Sequence, residues 1–464
     1  MNDPKRIPGW AMVAALLGGC AVGPNYQRPA VELPTDWNAA APTAAAPLVG
    51  PARWWQNFGD PELTALVEGG LRNNLDVQVA EASLRQARAA RGAAAGGFWP
   101  SITASGAALR GRSSGSATTG NSFQAGLDAV WELDFFGGVR RTVESADASA
   151  AAAQANLGDV QVTLAAEVAL DYLQVRSAQE QIVIARENLA AEQHTAGLIR
   201  QRLKVGFSSA LDAANADAQV ATTASTIPPL ETSLRQAIHA LGVLLGRPPS
   251  ALVGELAQSG AVPVAPPGVP AGLPSDLLRR RPDIRAAEAR LHAATAQIGV
   301  AVADFFPRFP LTAAVGYQSS VLRTLFATGS RTWSAGPTLT WPILQGGSTA
   351  ANVRVQEALR DQAYLTYRKT ILVALEEVED ALVAGGNEEE HRQALAQAVA
   401  QNQRAFDLST RLYTQGAADF LTVLDAERSL YSSQTALAQS RLAGSADLIA
   451  LYKALGGGWN GGRE

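Results

Sequence analysis

The sequence LDVQVAEASLRQARAA, residues 75–90, returns in altered form as PDIRAAEARLHAATAQ, residues 282–297. The match covers residues 74–109 against 281–316 and, after three residues of extra loop, continues to the far end of the chain. Matching pairs recur throughout: Glu81 and Glu288, Phe98 and Phe305, Trp131 and Trp341, Gly206 and Gly416, and Leu245 and Leu455. Self-similarity over this length indicates a duplicated unit. We therefore expect two repeats related by internal pseudo-symmetry.

The N-terminus has the pattern of a lipoprotein signal. Lys5 and Arg6 precede an apolar run at residues 10–17, which is too short to cross a bilayer but typical of a signal peptide. The sequence LGGC that ends at Cys20 then resembles a bacterial lipobox, in which the thiol is diacylated and the chain is cut just before it. A buried cysteine in a helix is the alternative, and the adjacent glycines and Pro24 disfavour it. We predict lipidation at Cys20.

Proline-rich tracts divide the chain. AVPVAPPGVPAGLP, residues 261–274, cannot continue a helix, and an Ala/Pro tract at 39–47 precedes the first repeat. The predicted segments are a signal peptide at 1–19, a lipid-anchored segment at 20–57, repeat 1 at 58–250, a linker at 251–274 and repeat 2 at 275–464.

Composition excludes several classes of protein. The formal net charge of −4 gives no support for nucleic acid as a partner. A single cysteine excludes an intrachain disulfide and a thiolate metal site. Hydrophobic residues make up 47% of the chain but aromatic residues only 6%, so small aliphatic side chains dominate, and these suit long, closely packed helices. No later apolar run approaches the roughly 20 residues of a transmembrane helix.

Each repeat contains two alternating segments that predict β-strands. Apolar side chains occupy every second position in FQAGLDAVWE, residues 123–132, and WSAGPTLTW, residues 333–341, repeats the pattern. The preceding strands are predicted at 102–110 and 309–318. Strands of about ten residues, when tilted, cross a membrane's apolar band of roughly 25 Å. Four tryptophans lie at predicted strand ends, where membrane barrels carry aromatic girdles: Trp99, Trp131, Trp333 and Trp341.

These strands favour a membrane barrel over a soluble sandwich, because they combine small residues with terminal tryptophans instead of sealing a core. Four strands cannot close a transmembrane barrel, which needs about eight or more. Open strand edges cannot face lipid either, since unpaired backbone groups there cost several kcal/mol each. We therefore expect the chain to oligomerise in order to complete its barrel.

A very long helical region follows the strands of each repeat. Residues 140–205 contain no proline, and neither does the chain after Ile343. Roughly 65 residues at 1.5 Å each would form a rod of about 100 Å, which requires coiled-coil packing against neighbours. KVGFSS at 204–209 and TQGAAD at 414–419 end these rods, and another helix returns after each. Polar residues around the helices favour a hollow bundle over a solid one.

Seven motifs extend over nearly the whole chain: CAVGPNYQRP (20–29), WWQNFGDPEL (54–63), WELDFFGGVRR (131–141), RRPDIRAAEARL (280–291), FFPRFPLTAAVGY (305–317), WPILQGG (341–347) and LYTQGAADFLTVLDAERSLY (412–431). Together they resemble the outer membrane factor family, the TolC-like exit ducts of tripartite efflux pumps, and its NodT-type lipoprotein subfamily in particular. The resemblance implies an α+β membrane protein in which each chain supplies two repeats of two strands and a long helical hairpin. It also implies a homotrimer that shares a twelve-stranded outer-membrane β-barrel, continued by a twelve-helix periplasmic α-barrel with a mixed equatorial region.

The same resemblance implies a function and its partners. The protein would be a passive exit duct for small molecules (drugs, toxic compounds or metals) in the outer membrane of a Gram-negative bacterium. It would work with a periplasmic adaptor protein and an inner-membrane pump of the resistance-nodulation-division (RND) type, and outer-membrane lipid would surround it.

The resemblance also implies a gate that the adaptor opens. Leu421 and Asp425 match the family's pore-constricting positions, where three carboxylates around one axis would repel one another. Arg428, on the same helix face, can offset part of that charge. Tyr413 and Asp212 match positions that tether the inner coil to the outer one in the closed state.

The hairpin turns match the tips that adaptor proteins grip: Val205, Gly206, Phe207, Gln415, Gly416 and Ala417. Several relatives place a gate arginine where this chain has Thr414 and Ala418. We therefore expect the closed state of this chain to be held in a different way.

No enzyme is expected. The histidines lack metal-ligand spacing, and no phosphate-binding loop of the form GxxxxGK[ST] occurs. GRSSG, residues 111–115, matches a nucleophile-elbow pattern, but it lies in a Ser/Thr/Gly loop with no helix after it. We predict no catalytic residue, no metal site and no cofactor besides the lipid on Cys20.

Two other functions remain open. The channel of a type I protein secretion system uses the same architecture, although lipidated members of the subfamily resemble pump partners more. A structural envelope lipoprotein could use long coiled coils to bridge compartments without a pore.

Overall fold

A computed structural model of the chain describes residues 21–38, 51–112, 119–264, 272 and 274–459. Cys20, the predicted signal peptide, Ser113 of the GRSSG pattern and most of the stretch 265–273 lie outside the described residues. No helix within the described ranges is both long enough and apolar enough to cross a membrane.

The two repeats fold into the same succession of elements. After a first helix, α1 (Pro61–Asn73), repeat 1 contains α2 (Leu75–Ala95), β1 (Ser101–Gly111), β2 (Gly120–Glu132), α3 (Gly138–Lys204) and α4 (Ala210–Leu244). Their equivalents in repeat 2 are α5 (Pro282–Ala303), β3 (Pro310–Ser319), β4 (Arg331–Pro337), α6 (Ser348–Thr414) and α7 (Phe420–Ala454). The long helices α3 and α6 contain 67 residues each, and the returning helices α4 and α7 contain 35 each. The alternating pattern predicts the strands. The helices α2 and α5, which precede the strands of each repeat, are not predicted from the sequence.

The four strands form one antiparallel sheet in the order β1-β2-β3-β4, so the β2–β3 pair joins the two repeats. The register aligns the apolar faces that the alternation predicts, because Leu127 lies opposite Val315, and Val315 lies opposite Trp333. The other face is polar, and there the Ser105 hydroxyl donates to Asp128 over 2.8 Å. The sheet therefore has one apolar and one hydrophilic face, as the sequence predicts.

The last strand is shorter than predicted. β4 ends at Pro337, whereas the sequence pattern extends to Trp341. Thr338 donates to the Pro310 carbonyl over 2.9 Å, but Pro310 has no N–H to return the bond, so the regular ladder stops there. Pairing resumes as a single bridge between Arg308 and Thr340, whose backbone groups exchange hydrogen bonds of 2.9 and 3.1 Å.

Both edges of the sheet are open in a single chain. Within the described residues, β1 pairs only with β2 and β4 pairs only with β3. Each outer edge therefore presents a row of backbone donors and acceptors that a neighbouring strand can satisfy.

Contacts divide the chain into two compact units. The first, unit 1, contains the described residues within 21–31, 82–155 and 285–369, and so carries the sheet. The second, unit 2, contains 32–81, 156–284 and 370–464.

In unit 1 an N-terminal strap, residues 21–31, is fixed onto the helices. The buried guanidinium of Arg141 donates to the Val22 carbonyl over 3.1 Å and to the Asn25 side chain over 2.7 Å. Arg28 forms an ion pair with Glu288 at 2.7 Å. The chain that follows Cys20 is thus tied to the same unit as the strands.

In unit 2 each returning helix meets the start of a repeat end to end. The Asn74 amide donates to the carbonyl of Leu244, the last residue of α4, over 2.9 Å. Arg281 occupies the equivalent position in repeat 2 and donates to the carbonyl of Ala454, the last residue of α7, over 2.9 Å. Both joints satisfy a carbonyl that the helix itself leaves without a partner.

Candidate functional site

The candidate site lies in unit 2, where the long helices end and turn back. In each turn a glycine has a positive φ, +81° at Gly206 and +74° at Gly416. The next residue donates its N–H back into the last turn of the helix, over 2.8 Å from Phe207 to Arg202 and over 2.8 Å from Ala417 to Leu412. Glycine adopts this conformation without the steric penalty of other residues, so both helices end at equivalent places.

The predicted adaptor-binding tips are these two turns, and both are exposed. Val205 and Phe207 in the first turn are 66% and 75% exposed. Gln415, Gly416 and Ala417 in the second turn are also exposed but carry no large apolar side chain. The two turns therefore present different surfaces, although their backbones are equivalent.

Side-chain caps start the returning helices. The Ser209 hydroxyl accepts from the Asp212 N–H over 3.0 Å, and the Asp212 carboxylate accepts from the Ser209 N–H over 2.8 Å. Asp419, the equivalent of Ser209, accepts from the Thr422 N–H over 3.0 Å. Although burial raises it, the hydrogen bonds from Ser209 and Ser208 leave the pKa of Asp212 below its ordinary value.

An apolar cluster lies next to the turns and joins both hairpins. It combines side chains from α3, α4, α6 and α7: Ala196, Ile199, Ala213, Ala216, Tyr413, Phe420 and Val423. The guanidinium of Arg202 lies 4.6 Å from the centroid of the Tyr413 ring, a cation–π contact. The cluster therefore packs the start of α7 against the first hairpin.

The structure does not join Tyr413 to Asp212, the two residues predicted to tether the coils. Asp212 uses its carboxylate in the cap of α4. The Tyr413 hydroxyl is buried and has no hydrogen-bond partner in the part of the chain that the structure describes. The tether stays a prediction.

The predicted gate residues Leu421 and Asp425 lie one turn apart on α7, and both side chains are exposed. Arg428 is directed elsewhere, because its Nε donates to the side-chain oxygen of Gln219 on α4 over 2.8 Å. The ion pairs among the described residues include none between Arg428 and Asp425. Whether Leu421 and Asp425 constrict a pore stays a prediction.

A buried polar network that no sequence motif predicts lies beside the apolar cluster. Glu192 on α3 is 2% exposed and accepts from Gln219 over 3.0 Å and from Thr223 over 2.8 Å. Gln219 in turn accepts from Arg428, so the network links α3, α4 and α7.

A second buried carboxyl belongs to the same region. Glu427 on α7 is 2% exposed and accepts from the Tyr431 hydroxyl over 3.2 Å. Burial, and then the charge of Glu192, raise the pKa of Glu427 to about 7. Burial also raises the pKa of Glu192.

Helical spacing is the signal that could have identified these carboxyls. Glu192 precedes the buried Ala196 and Ile199 by four and seven residues, which places all three on one helix face. Glu427 follows the buried Val423 by four residues. In a helix with polar residues on every face, the sequence does not show which polar positions are buried until the packing of that helix is known.

The predicted girdle tryptophans form two kinds of contact in unit 1. Trp131 and Trp341, at equivalent positions, donate their indole N–H groups to the carbonyls of Phe98 and Phe305 over 2.9 and 3.0 Å. Trp99 and Trp333 are 75% and 80% exposed. Trp99, Trp131 and Trp333 lie at or beside strand ends, whereas Trp341 lies four residues beyond the end of β4, because that strand is shorter than predicted. The role of these residues in a membrane stays a prediction.

Comparison with known proteins identifies the family. The sequence profile of the outer membrane efflux protein family matches residues 66–247 and 273–457, one segment in each repeat. The chain is 37% identical to the pyoverdine export outer membrane protein OpmQ of Pseudomonas aeruginosa, over 97% of this chain and 96% of that protein. It is 34% identical to nodulation protein T of Rhizobium leguminosarum bv. trifolii, over 96% of each chain.

The fold agrees with this likeness. The solved structure of the outer-membrane channel OprN superposes with a TM-score of 0.89 and 36% identity, and the match covers 95% of this chain and all of that one. The proteins it resembles are transport channels and not enzymes, and they place the chain in the outer membrane of a Gram-negative bacterium as an efflux duct. The chain belongs to the outer membrane efflux protein family, in its TolC-like, NodT-type branch.

Proposed function

We propose that the protein is the exit duct of an RND-type tripartite pump and passively conducts small molecules to the exterior. It works as a homotrimer with a periplasmic adaptor and an inner-membrane pump. Adaptor contact with the two hairpin turns opens a gate that α7 forms.

The open sheet is the observation that carries this proposal. Four strands with an apolar face and two unpaired edges cannot stand alone in lipid. Three such chains, joined β4 to β1, would provide twelve strands and no free edge, which is within the size range of outer-membrane barrels.

The exposed face of α7 supports the position of the gate. Leu421 is 51% exposed although it is a large apolar residue next to a packed cluster. In a trimer this face would meet its two copies around the axis, and the Asp425 carboxylates would repel one another there. An adaptor that moves the nearby turns would relieve that contact.

A lipid on Cys20 fits the strap that follows it. Arg141 and Arg28 hold residues 22–28 against unit 1, which also carries the strands. A diacylated Cys20 would therefore stay close to the barrel and act as an accessory anchor, since the barrel itself holds the protein in the membrane.

The channel of a type I secretion system is the second candidate, because it would need the same barrel and tunnel. The name of the relative OpmQ describes pyoverdine export and no protein cargo, which favours small molecules. A structural lipoprotein without a pore does not fit membership of an efflux family.

Deletion of the gene in its own host tests the proposal. We expect a fluorescent efflux substrate such as ethidium to accumulate several-fold more in the deletion strain, and plasmid-borne wild type to restore export. Unchanged dye accumulation together with the loss of a secreted protein would favour the secretion channel instead.

A further inference from the structure

Two buried carboxyls and one arginine lie on the helices α3 and α7 of unit 2. Glu192 and Glu427 are each 2% exposed, and they come from different repeats, on α3 and α7. Arg428 is the cation whose charge both carboxyls feel. If both carboxyls were ionised, the cluster would hold one uncompensated negative charge away from water, which is costly.

The polar groups around Glu192 already occupy one of its oxygens. Gln219 and Thr223 from α4 both donate to Oε1, while Oε2 is buried and has no partner within the described residues. An ionised Glu192 would bury negative charge on this unpartnered oxygen, whereas a protonated Glu192 would be neutral.

The groups that face Glu427 are few. Tyr431 donates to it from the next turn of α7, Glu192 acts on it from α3, and Arg428 acts on it from the adjacent position. His194 lies close by in sequence, but its side chain is exposed and points away from the buried stripe. One proton on the Glu192–Glu427 pair leaves the cluster neutral with Arg428 included.

We propose that Glu192 and Glu427 form a proton-dependent latch that holds α7, and with it Leu421 and Asp425, against the first hairpin. The inference rests on the proposed gate and says how that gate is regulated.

The sign of the pH effect follows from burial. In the closed hairpin the pKa of Glu427 is about 7, and in an opened, wetted hairpin it returns toward its ordinary value of 4.5. Protonation therefore favours the closed form, and a rise in pH through 7 favours opening. Between pH 6 and pH 8 the ratio of open to closed form in one chain should rise about tenfold.

The repeat offers a matched control. Asp217 on α4 is the equivalent of Glu427 in repeat 1, but it is exposed and paired with Arg200. Glu427→Gln keeps the size of the side chain and copies its protonated form, whereas Asp217→Asn removes a charge outside the latch.

The test is the conductance of the purified full-length protein in planar bilayers at pH 6, 7 and 8. We expect wild type and Asp217→Asn to open about tenfold more at pH 8 than at pH 6, and Glu427→Gln to stay closed throughout. Amide hydrogen exchange in residues 420–431 should follow the same order, which reports the latch independently of current.

A wild-type pH profile in Glu427→Gln, or no pH dependence in wild type, would overturn the latch while the duct stands. No current from wild type or from Asp425→Ala at any pH would contradict the exit-duct function, and the latch with it.

Discussion

Arg281 joins the end of α7 to the start of repeat 2 through several contacts of one side chain. It is 7% exposed, and its guanidinium contacts the Ala454 carbonyl at 2.9 Å, Glu377 at 2.5 Å and Asp283 at 2.8 Å. In repeat 1 the neutral amide of Asn74 makes the equivalent joint. The joint at the end of α7 therefore depends on a charged side chain, whereas the joint at the end of α4 uses a neutral amide.

We expect Arg281→Ala to lower the free energy of unfolding by about 3 kcal/mol, because it leaves a helix-end carbonyl and two carboxylates without their cation. Denaturant titration of the detergent-purified protein measures this. Arg279→Ala is the matched control, since its side chain is 76% exposed and its ion pair should contribute less than about 1 kcal/mol. Equal losses in the two variants would contradict the assignment.

Single residues were the hardest feature to predict from sequence. The family motifs marked Leu421, Asp425 and Tyr413, but neither Glu192 nor Glu427 stood out. A charged residue in a polar helix is indistinguishable from a solvated one until its neighbours are known, because burial depends on the packing of distant segments.

The elements follow local chemistry closely. Gly206 and Gly416 end the long helices, and Ser209 and Asp419 cap the helices that return. These residues are visible in the sequence, and the proline-free stretch 140–205 begins two residues after and ends one residue after α3, Gly138–Lys204.

We expect Ser209→Ala to fray the first turn of α4, because the capping box contributes about 1 kcal/mol. Amide exchange at residues 210–214 should become about fivefold faster. Ser225→Ala, in the exposed middle of the same helix, should leave that exchange unchanged. Faster exchange in both variants would mean that the cap is not responsible.

Two features of the elements could not be predicted. Pro228 and Pro229 lie inside α4, which continues through them on an exposed face, whereas proline normally marks a helix end. Pro310 instead shortens the β3–β4 ladder, because it has no N–H to donate to Thr338 opposite it. The missing N–H therefore ends regular pairing in the sheet, whereas α4 continues past it.

At the scale of the whole molecule, duplication explains most of what the sequence could predict. The repeat predicted two equivalent strand pairs and hairpins, and the alternating pattern predicted which strand faces come together. The arrangement of copies around an axis is not written in one chain. The barrel is proposed because open strand edges must be paired, and the gate is proposed from the family resemblance and from the exposed side chain of Leu421 on α7.

The most direct test of the gated duct is single-channel recording in planar bilayers at neutral pH. Leu421→Ala is compared with Leu211→Ala, the equivalent change in repeat 1, where the side chain is 68% exposed. We predict a small, mostly closed conductance for wild type and Leu211→Ala, and a severalfold larger open probability for Leu421→Ala and Asp425→Ala. Equal behaviour of Leu421→Ala and Leu211→Ala, or no current from any of these proteins, would contradict a duct gated by α7.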